Sequence, residues 1–365
     1  MFIFNSKQIS EKKYLVIFLI IAILLFLYHL IIYTLFTSKV LNVSAPMYVG
    51  DLARMSYQIN SIDLKKNTFT LNKKHIEGSQ YKKQNIDLLT IGYSFSNGGG
   101  SGENPYYQDY IVNKQGLNVL NIRTLKSANS NVPDTLLALE RSGVLDDIKP
   151  KAILLTTGSR VLIERFAKEL KWKQTINKKS IYNEFKTMHP HELAKYQAKN
   201  VSIVNTANYK YPFYTARYKF KPCIKDVACK LKLDKPYFSV KDDKTLLFYY
   251  HDIKNLKSIT YNDVLKANKN LNKIAHILKE KGIKLYFMMI TDKYDLYYNH
   301  IVKSPFIKNK IFDLMEPMKK DYTYIDTKKI LSKLVDKGVK NIYYADDTHW
   351  SNIASQEIVR ETSFK

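Results

Sequence analysis

The chain predicts an α/β fold, a parallel sheet flanked by helices, behind one membrane-spanning helix. Three observations carry that expectation. From residue 87 onward, short apolar runs of strand length alternate with amphipathic stretches of helix length, the pattern of parallel strands joined by helical crossovers. Near the start, residues 14–36 read YLVIFLIIAILLFLYHLIIYTLF and are apolar apart from His29 and Thr34. The composition is that of a packed globular protein: of 365 residues 45% are hydrophobic and 13% aromatic, with only 12 Gly and 10 Pro. That length suits one large domain or two small ones and buries a sizeable core.

At 1.5 Å rise per residue, the apolar run at 14–36 is long enough to cross a hydrocarbon core of ~30 Å. A cleaved signal peptide has a shorter apolar region, ~7–15 residues. Pro46 just after Ser44-Ala45 is also a poor cleavage context, so the segment reads as an uncleaved signal anchor. Lys7, Lys12 and Lys13 precede it with only Glu11 opposing them, which assigns residues 1–13 to the cytoplasm and exports the remainder. Lys39 on the far side weakens that bias. Tyr14, Tyr28 and Tyr33 suit the interfaces, and His29 reads as a polar residue tolerated near the helix end.

Residues 37–86 form a polar lead-in with a short apolar alternation at 68–71 and read as a stalk or edge strand. The folded domain is expected over 87–365. Its first half predicts strand 87–92, helix 105–114, strand 118–122, helix 134–146 on the spacing of Leu136, Leu137, Leu139, Val144 and Leu145, and strand 151–157. Residues 168–257 break the rhythm. They are Lys-rich, contain His189-Pro190-His191, Tyr211-Pro212 and both cysteines, and are expected as an insertion or subdomain. The rhythm resumes with helix 262–281 ending at Gly282, strand 284–290, helix 310–320, strand 322–325, helix 328–337 stopped by Gly338, and strand 341–344. Glycine just past the last turn is a common helix stop.

A net charge of +25 raises the question of nucleic acid. The charge is mostly Lys, spread along the chain rather than clustered, and argues for a solvated basic surface instead of a phosphate-binding patch. Attraction to anionic envelope polymers or lipid headgroups stays open. Cys223 and Cys229, in PCIKDVACK, are too few for a zinc site and lack C-x-x-C spacing. In an oxidising compartment they are expected to form a small disulfide loop.

Two stretches carry chemistry. Residues 88–110, LLTIGYSFSNGGGSGENPYYQDY, place Ser94 where an apolar strand ends and a glycine-rich turn begins. A serine hydroxyl needs a base to become a nucleophile, and glycines let backbone approach a bound group closely. Alone, this stretch fits a helix cap and a flexible loop better than a nucleophile. The balance shifts with residues 345–351, ADDTHWS. There His349 follows Asp347 by two positions and Asp346 by three, so a carboxylate can hold the imidazole tautomer that accepts the serine proton. A metal site or a plain surface turn are the rival readings of one His beside two Asp. His189, His191, His251, His276 and His300 show no metal-ligand spacing, and no metal, coenzyme A or other cofactor is expected.

The segments Ile91-Gly92-Tyr93-Ser94-Phe95-Ser96, Ile290 to Tyr297 and Asp347-Thr348-His349-Trp350-Ser351 resemble those of the SGNH-hydrolase-like O-acyltransferases of bacterial envelopes, which include alginate and peptidoglycan O-acetyltransferases. The likeness spans roughly residues 87–358, interrupted by the Lys-rich middle. It implies an SGNH, flavodoxin-like sheet, with Ser94 as nucleophile, His349 as base and Asp347 as orienting acid. Asp346 is the rival acid, since D-x-x-H is the classical family spacing and D-x-H-W that of the acyltransferase branch. Trp350 would pack beside the site or stack on a sugar face, or else be a core tryptophan.

The departures are Tyr93 where Gly-Asp-Ser is usual, and Asn121 kept without its companion oxyanion glycine. Gly158-Ser159-Arg160 stands where Gly-x-Asn is expected, leaving Arg160 as an electrostatic substitute or a salt-bridging residue. The resemblance implies an extracytoplasmic enzyme that passes an acyl group, expected to be acetyl, through acyl-Ser94 to an envelope polysaccharide or peptidoglycan hydroxyl. It also implies a multi-pass membrane acyltransferase as acetyl supplier. An esterase with the same triad and a non-catalytic glycan-binding or assembly protein are the alternatives.

Overall fold

Alternation along the strands decides how the sheet sits in the molecule. The computed structural model describes residues 11–41, 49–58, 65, 71–173, 175–190 and 201–364, with Glu11 and Lys12 described by backbone alone. Among them the strands are β1 (Ile76–Glu77), β2 (Leu88–Gly92), β3 (Val119–Arg123), β4 (Ala152–Gly158), β5 (Cys223–Ile224), β6 (Ala228–Lys232), β7 (Thr245–Tyr249), β8 (Lys284–Ile290) and β9 (Thr323–Asp326). One sheet has the order β1-β3-β2-β4-β8-β9, and every pairing in it is parallel.

Leu89, Ile91, Leu120, Ile122, Ile153, Leu155, Phe287 and Met289 point to one face, where they pack with helices Val132–Arg141, Tyr261–Glu280 and Ile311–Met315. The residues between them, Leu88, Val119, Leu154, Tyr286 and Met288, point to the other. There they meet helices Tyr107–Gln115, Thr327–Asp336 and Asn352–Glu361. Burial on both faces explains why these strands read as unbroken apolar runs.

Counting the five longer strands of this sheet in chain order, they lie 2-1-3-4-5, so the winding reverses between β2 and β4. In such sheets the crevice at the carboxyl ends of the strands flanking that reversal receives ligands. Ser94 lies two residues past the end of β2.

The expected insertion lies between β4 and β8. It contains helices Lys178–Phe185 and Ala207–Phe220 and an antiparallel sheet in the order β5-β6-β7. Cys223 and Cys229 are paired residues of the β5–β6 hairpin and are joined by a disulfide. At the start, helix Glu11–Ile32 runs through a wider π-type turn at Tyr33–Thr37 into Ser38–Leu41. Its segment Lys13–Leu41, 29 residues, is long and apolar enough to span a membrane.

Several expectations change. Residues 341–344 form no strand; Tyr343 instead bridges Trp350 in antiparallel register, so the chain pairs with its own return and closes a loop over 344–349. The helix expected over 134–146 is two helices, Val132–Arg141 and Val144–Ile148, because Gly143 turns left-handed at φ 72° between them. That expected over 310–320 stops at Met315, two residues ahead of Pro317, since proline has no N–H to donate back to the carbonyl four residues earlier and its ring crowds that carbonyl. The C-terminal helix Asn352–Glu361 was not foreseen. Within the lead-in 37–86, residues 49–56 and Lys65 pack on the Asp-Thr-His loop, and β1 joins the sheet edge beside β3. The expectations resting on Lys7, the Lys12 side chain, Ser44-Ala45-Pro46, residues 68–70 and His191 lie outside the described residues.

Candidate active site

Ser94 is exposed while Ser96, two positions on, is fully buried. The turn that separates them is pinned from beneath. Ser96 Oγ meets Tyr107 OH at 3.0 Å and Thr156 Oγ1 at 2.8 Å, and its carbonyl accepts from Gln108 Nε2 and Asn121 Nδ2, both at 3.0 Å. Glycine is required twice here by close approach. A Cβ on Gly92 would lie 2.0 Å from Thr156 Oγ1, and one on Gly99 would lie 2.6 Å from His349 Nε2 and 2.7 Å from the Ser94 carbonyl oxygen. The glycine loop therefore folds back over the hydroxyl and the imidazole together.

The second half of the site is the loop closed by the Tyr343–Trp350 bridge. Ser351 N–H donates to Ile342 O at 2.8 Å, and the Lys293 ammonium fills the loop, donating to the carbonyls of Tyr344 at 2.7 Å, Ala345 at 2.9 Å and Asp347 at 3.2 Å. Burial pushes the Lys293 pKa down to about 8, although Asp346 and Asp347 oppose the shift. The loop presents His349 so that Nε2 lies 2.8 Å from Ser94 Oγ and Nδ1 lies 2.7 Å from Asp347 Oδ1. Asp347 Oδ1 also accepts the His349 backbone N–H at 3.0 Å.

Asp347 and not Asp346 takes the imidazole. Asp347 Oδ2 is ion-paired with Lys65, each side chain 1% exposed, and the Lys65 ammonium donates to Gly100 O at 2.7 Å as well. Burial alone would raise the Asp347 pKa, but Lys65 and His349 outweigh it and hold the carboxyl well below the usual range. Asp346 instead accepts the Gly50 N–H on Oδ2 at 2.8 Å. Burial and the Asp347 charge raise its pKa. Asp51, at the start of helix Asp51–Ser56, accepts from the Thr348 N–H at 2.7 Å and from the Thr348 hydroxyl, and lies 3.7 Å from His349 Nδ1.

A Cβ on Gly50 would fall 1.9 Å from the Asp346 carbonyl oxygen, so glycine is what lets this segment dock. Lys65, Asp51 and Lys293 were all missed by sequence reasoning. The first two stand some 280 to 300 positions from their partners, and one Lys among many in the chain carries no signal. Lys293 lay within a motif segment, immediately after a strand, and that position was its only cue.

The remaining candidates have partners of their own. Tyr93 donates its hydroxyl to Ser130 O, and Arg165 lies 3.2 Å over its ring. Asn121 is buried beneath the turn, bonded to Thr90 Oγ1, Gln108, Glu77 and Ser96 O, so it braces the turn that carries Ser94 and its amide is committed there. Arg160 is ion-paired with Asp252 at 2.8 Å and Asp292 at 3.0 Å. Burial raises the Asp252 pKa to about 7, with the Asp292 charge adding and Arg160 opposing. Arg160 is thus a salt-bridging residue rather than an electrostatic substitute at the serine. Trp350 is 4% exposed and meets Phe95 edge-on at 4.7 Å, while Phe95 in turn packs 4.6 Å from the His349 ring. It belongs to the core behind the histidine, which leaves no ring face for a sugar.

One ligand atom each from Asp51, Asp347 and His349 lies within 4.8 Å of the others, a spacing open to a cation. The Lys65 ammonium already supplies the positive charge against Asp347. Chemically, the site combines an exposed hydroxyl, an imidazole aligned on it and a buried ionised carboxylate behind the imidazole, in the order that proton transfer from serine requires. No family model, curated protein or solved structure matches the chain.

Proposed function

We propose that this protein is a membrane-anchored O-acyltransferase of the SGNH-hydrolase-like type, acting outside the cytoplasm on hydroxyls of an envelope polysaccharide or peptidoglycan. The observation that carries the reading is the continuous chain from exposed Ser94 Oγ through His349 to Asp347, with contacts of 2.8 and 2.7 Å. Ser94 Oγ attacks the acyl carbonyl while His349 Nε2 takes its proton. The Ser94 N–H donates to the developing oxyanion. Collapse expels the donor alcohol, which leaves with the proton from His349. The acceptor hydroxyl then attacks acyl-Ser94, gives its proton to His349, and the ester passes to the glycan as Ser94 is regenerated.

The N-terminal Lys excess supports an orientation with residues 1–13 in the cytoplasm. That topology suits an acyl donor delivered by a multi-pass membrane acyltransferase, and the disulfide fits an oxidising compartment. A second reading, an esterase, draws support from the exposure of Ser94, which admits water as acceptor. A third, a non-catalytic glycan-binding protein, draws on the commitment of Asn121 and Arg160 elsewhere. One lost oxyanion donor costs ~2.7–4 kcal/mol of transition-state stabilisation.

The test is to treat the full chain in detergent with an activated acetyl ester and to locate acetyl groups by mass spectrometry. Acetyl-Ser94 in the native protein and none in Ser94→Ala is the expected result. An unmodified Ser94 in the folded native chain would sink both enzyme readings. Comparing acetylated glycan oligomers with free acetate then separates transferase from esterase.

A further inference from the structure

Helix Ala207–Phe220 belongs to the insertion, yet it is clasped to the N-terminal helix. Tyr28 OH donates to Asn208 O at 2.9 Å. His29, 4% exposed, has Nδ1 2.9 Å from Asn208 Nδ2 and Nε2 2.9 Å from Tyr209 OH, and Phe36 stacks on Tyr211 at 4.1 Å. These contacts fall within the apolar run at 14–36. At 1.5 Å per residue, Tyr28 stands about 12 Å before the end of that run, so the clasping helix lies at the depth of the outer part of the apolar segment. Polar groups at such depth are costly without partners, and Asn208 and Tyr209 supply those of His29.

Past Tyr209, whose ring is part of the clasp, an apolar stripe runs along the helix. Phe213 is 60% exposed and Phe220 86%, and Ala216 is exposed as well. Spaced i, i+3 and i+7, they fall within about 60° of one another at ~100° per residue, one stripe along the helix. Ile203 and Val204, at 37% and 54% exposed, extend the apolar surface just ahead of it. Lys210 and Arg217 border one edge of the stripe, Lys219 the other, and Lys221 comes next along the chain. A helix with an apolar stripe between basic edges lies in the headgroup layer, with its apolar side chains dipped toward the acyl chains and its cations on anionic lipid.

We propose that Ala207–Phe220 is a second membrane contact, an interfacial helix that rests on an anionic phospholipid surface beside the spanning helix. Two attachments at separate points of the fold remove the tumbling that a single anchor allows. They hold the exposed Ser94 at a set height and orientation toward the membrane. The inference rests on the reading of Lys13–Leu41 as a membrane span, and its test addresses that reading separately.

Both native cysteines are in the disulfide, so an introduced cysteine is the one free thiol. Phe18→Cys, Phe213→Cys, Phe220→Cys and Val302→Cys, each in the full chain, are labelled with a polarity-sensitive fluorophore. The labelled chains are placed one per nanodisc in phosphatidylglycerol-containing lipid carrying spin-labelled acyl chains. Val302 is 61% exposed and lies outside the insertion, and Phe18 reports the span. The expected result is blue-shifted emission, quenched by about half or more, at positions 18, 213 and 220, since an interfacial helix sits within ~5–10 Å of the acyl boundary. Position 302 stays water-like.

Quenching at 18 but water-like emission at 213 and 220 overturns the proposal and leaves the anchor standing. Absence of quenching at 18 overturns the anchor and the proposal with it. Quenching at 213 and 220 that occurs only with several chains per disc identifies a second copy as the occupant and also overturns it. Lys210→Glu/Lys219→Glu is expected to reduce quenching at 213. Unchanged quenching in that variant removes the anionic lipid from the proposal.

Discussion

Asparagine at position 347 keeps the shape of the aspartate and removes only its charge, a change felt by two buried partners. Asp347 holds His349 at 2.7 Å and the Lys65 ammonium, with both members of the ion pair 1% exposed. In Asp347→Asn the lysine stays buried with no counter-charge on Asp347. Removing one member of such a pair costs about 3–5 kcal/mol, or roughly 10 °C in melting temperature. The proposed acyl transfer would suffer separately. Without a carboxylate to hold Nδ1–H and stabilise the imidazolium, turnover is expected to fall by ~10⁴-fold.

The two losses come apart in a double variant. Lys65→Met/Asp347→Asn strands neither charge, so it recovers most of the melting temperature while activity stays low. Asp346→Asn is the internal control. Its Oδ2 accepts the Gly50 N–H, an acceptor role that an amide oxygen retains, so turnover stays within about ten-fold of the native chain. The assays are alcohol release from an activated acetyl ester and a thermal melt, both on the full chain in detergent. Near-native turnover in Asp347→Asn, or an equal loss in Asp346→Asn, would refute the assignment of the acid. A double variant that melts as low as Asp347→Asn would refute the electrostatic account.

The same geometry sets three further outcomes. Gly99→Ala places a Cβ 2.6 Å from His349 Nε2, whereas in Gly100→Ala the nearest contact is 3.3 Å, to His349 Cβ. The first is expected to lower ester turnover by ~10²-fold through displacement of the imidazole and the second much less. Gly50→Ala drives a Cβ into the Asp346 carbonyl at 1.9 Å, so the 49–56 segment should undock, measured as faster amide exchange at Ala53, whose N–H donates to Asp346 O. His75 is buried between Asp109 at 2.7 Å and Glu77 at 3.2 Å. Burial opposes its charge, but the two carboxylates prevail and raise the pKa to about 9. The folded chain therefore holds that proton longer than the unfolded one. The stability it brings, about 3 kcal/mol by linkage, is whole below pH ~6.5 and lost as pH rises through about 9. The melting-temperature gap between native and His75→Gln should close across that window, and a gap that widens with pH would contradict the assignment.

The layered sheet was legible because strands buried on both faces read as short apolar runs and crossover helices repeat near 3.6 residues, both local properties of the chain. Ser94 and the Asp-Thr-His segment stood out for a related reason: each comes directly after an apolar run, and each holds its chemistry within a few consecutive residues. The strand expected at 341–344 and the long helix at 134–146 failed where pairing or a left-handed glycine, rather than composition, set the backbone. Of the two readings open for Arg160, its ion pairs with two buried aspartates from distant segments match the salt-bridging one, and only folding could choose it.

The apolar run at 14–36, the parallel α/β rhythm and the serine on its glycine turn belong to the sequence by itself, because each rests on neighbours in the chain. Which aspartate faces His349, and that a lysine at position 65 faces that aspartate, was decided only by the tertiary structure. Selecting Asp347 over Asp346 needs the Gly50 N–H and the Lys65 ammonium, brought from some 280 to 300 residues away, and charges that meet only after folding leave no periodicity to read.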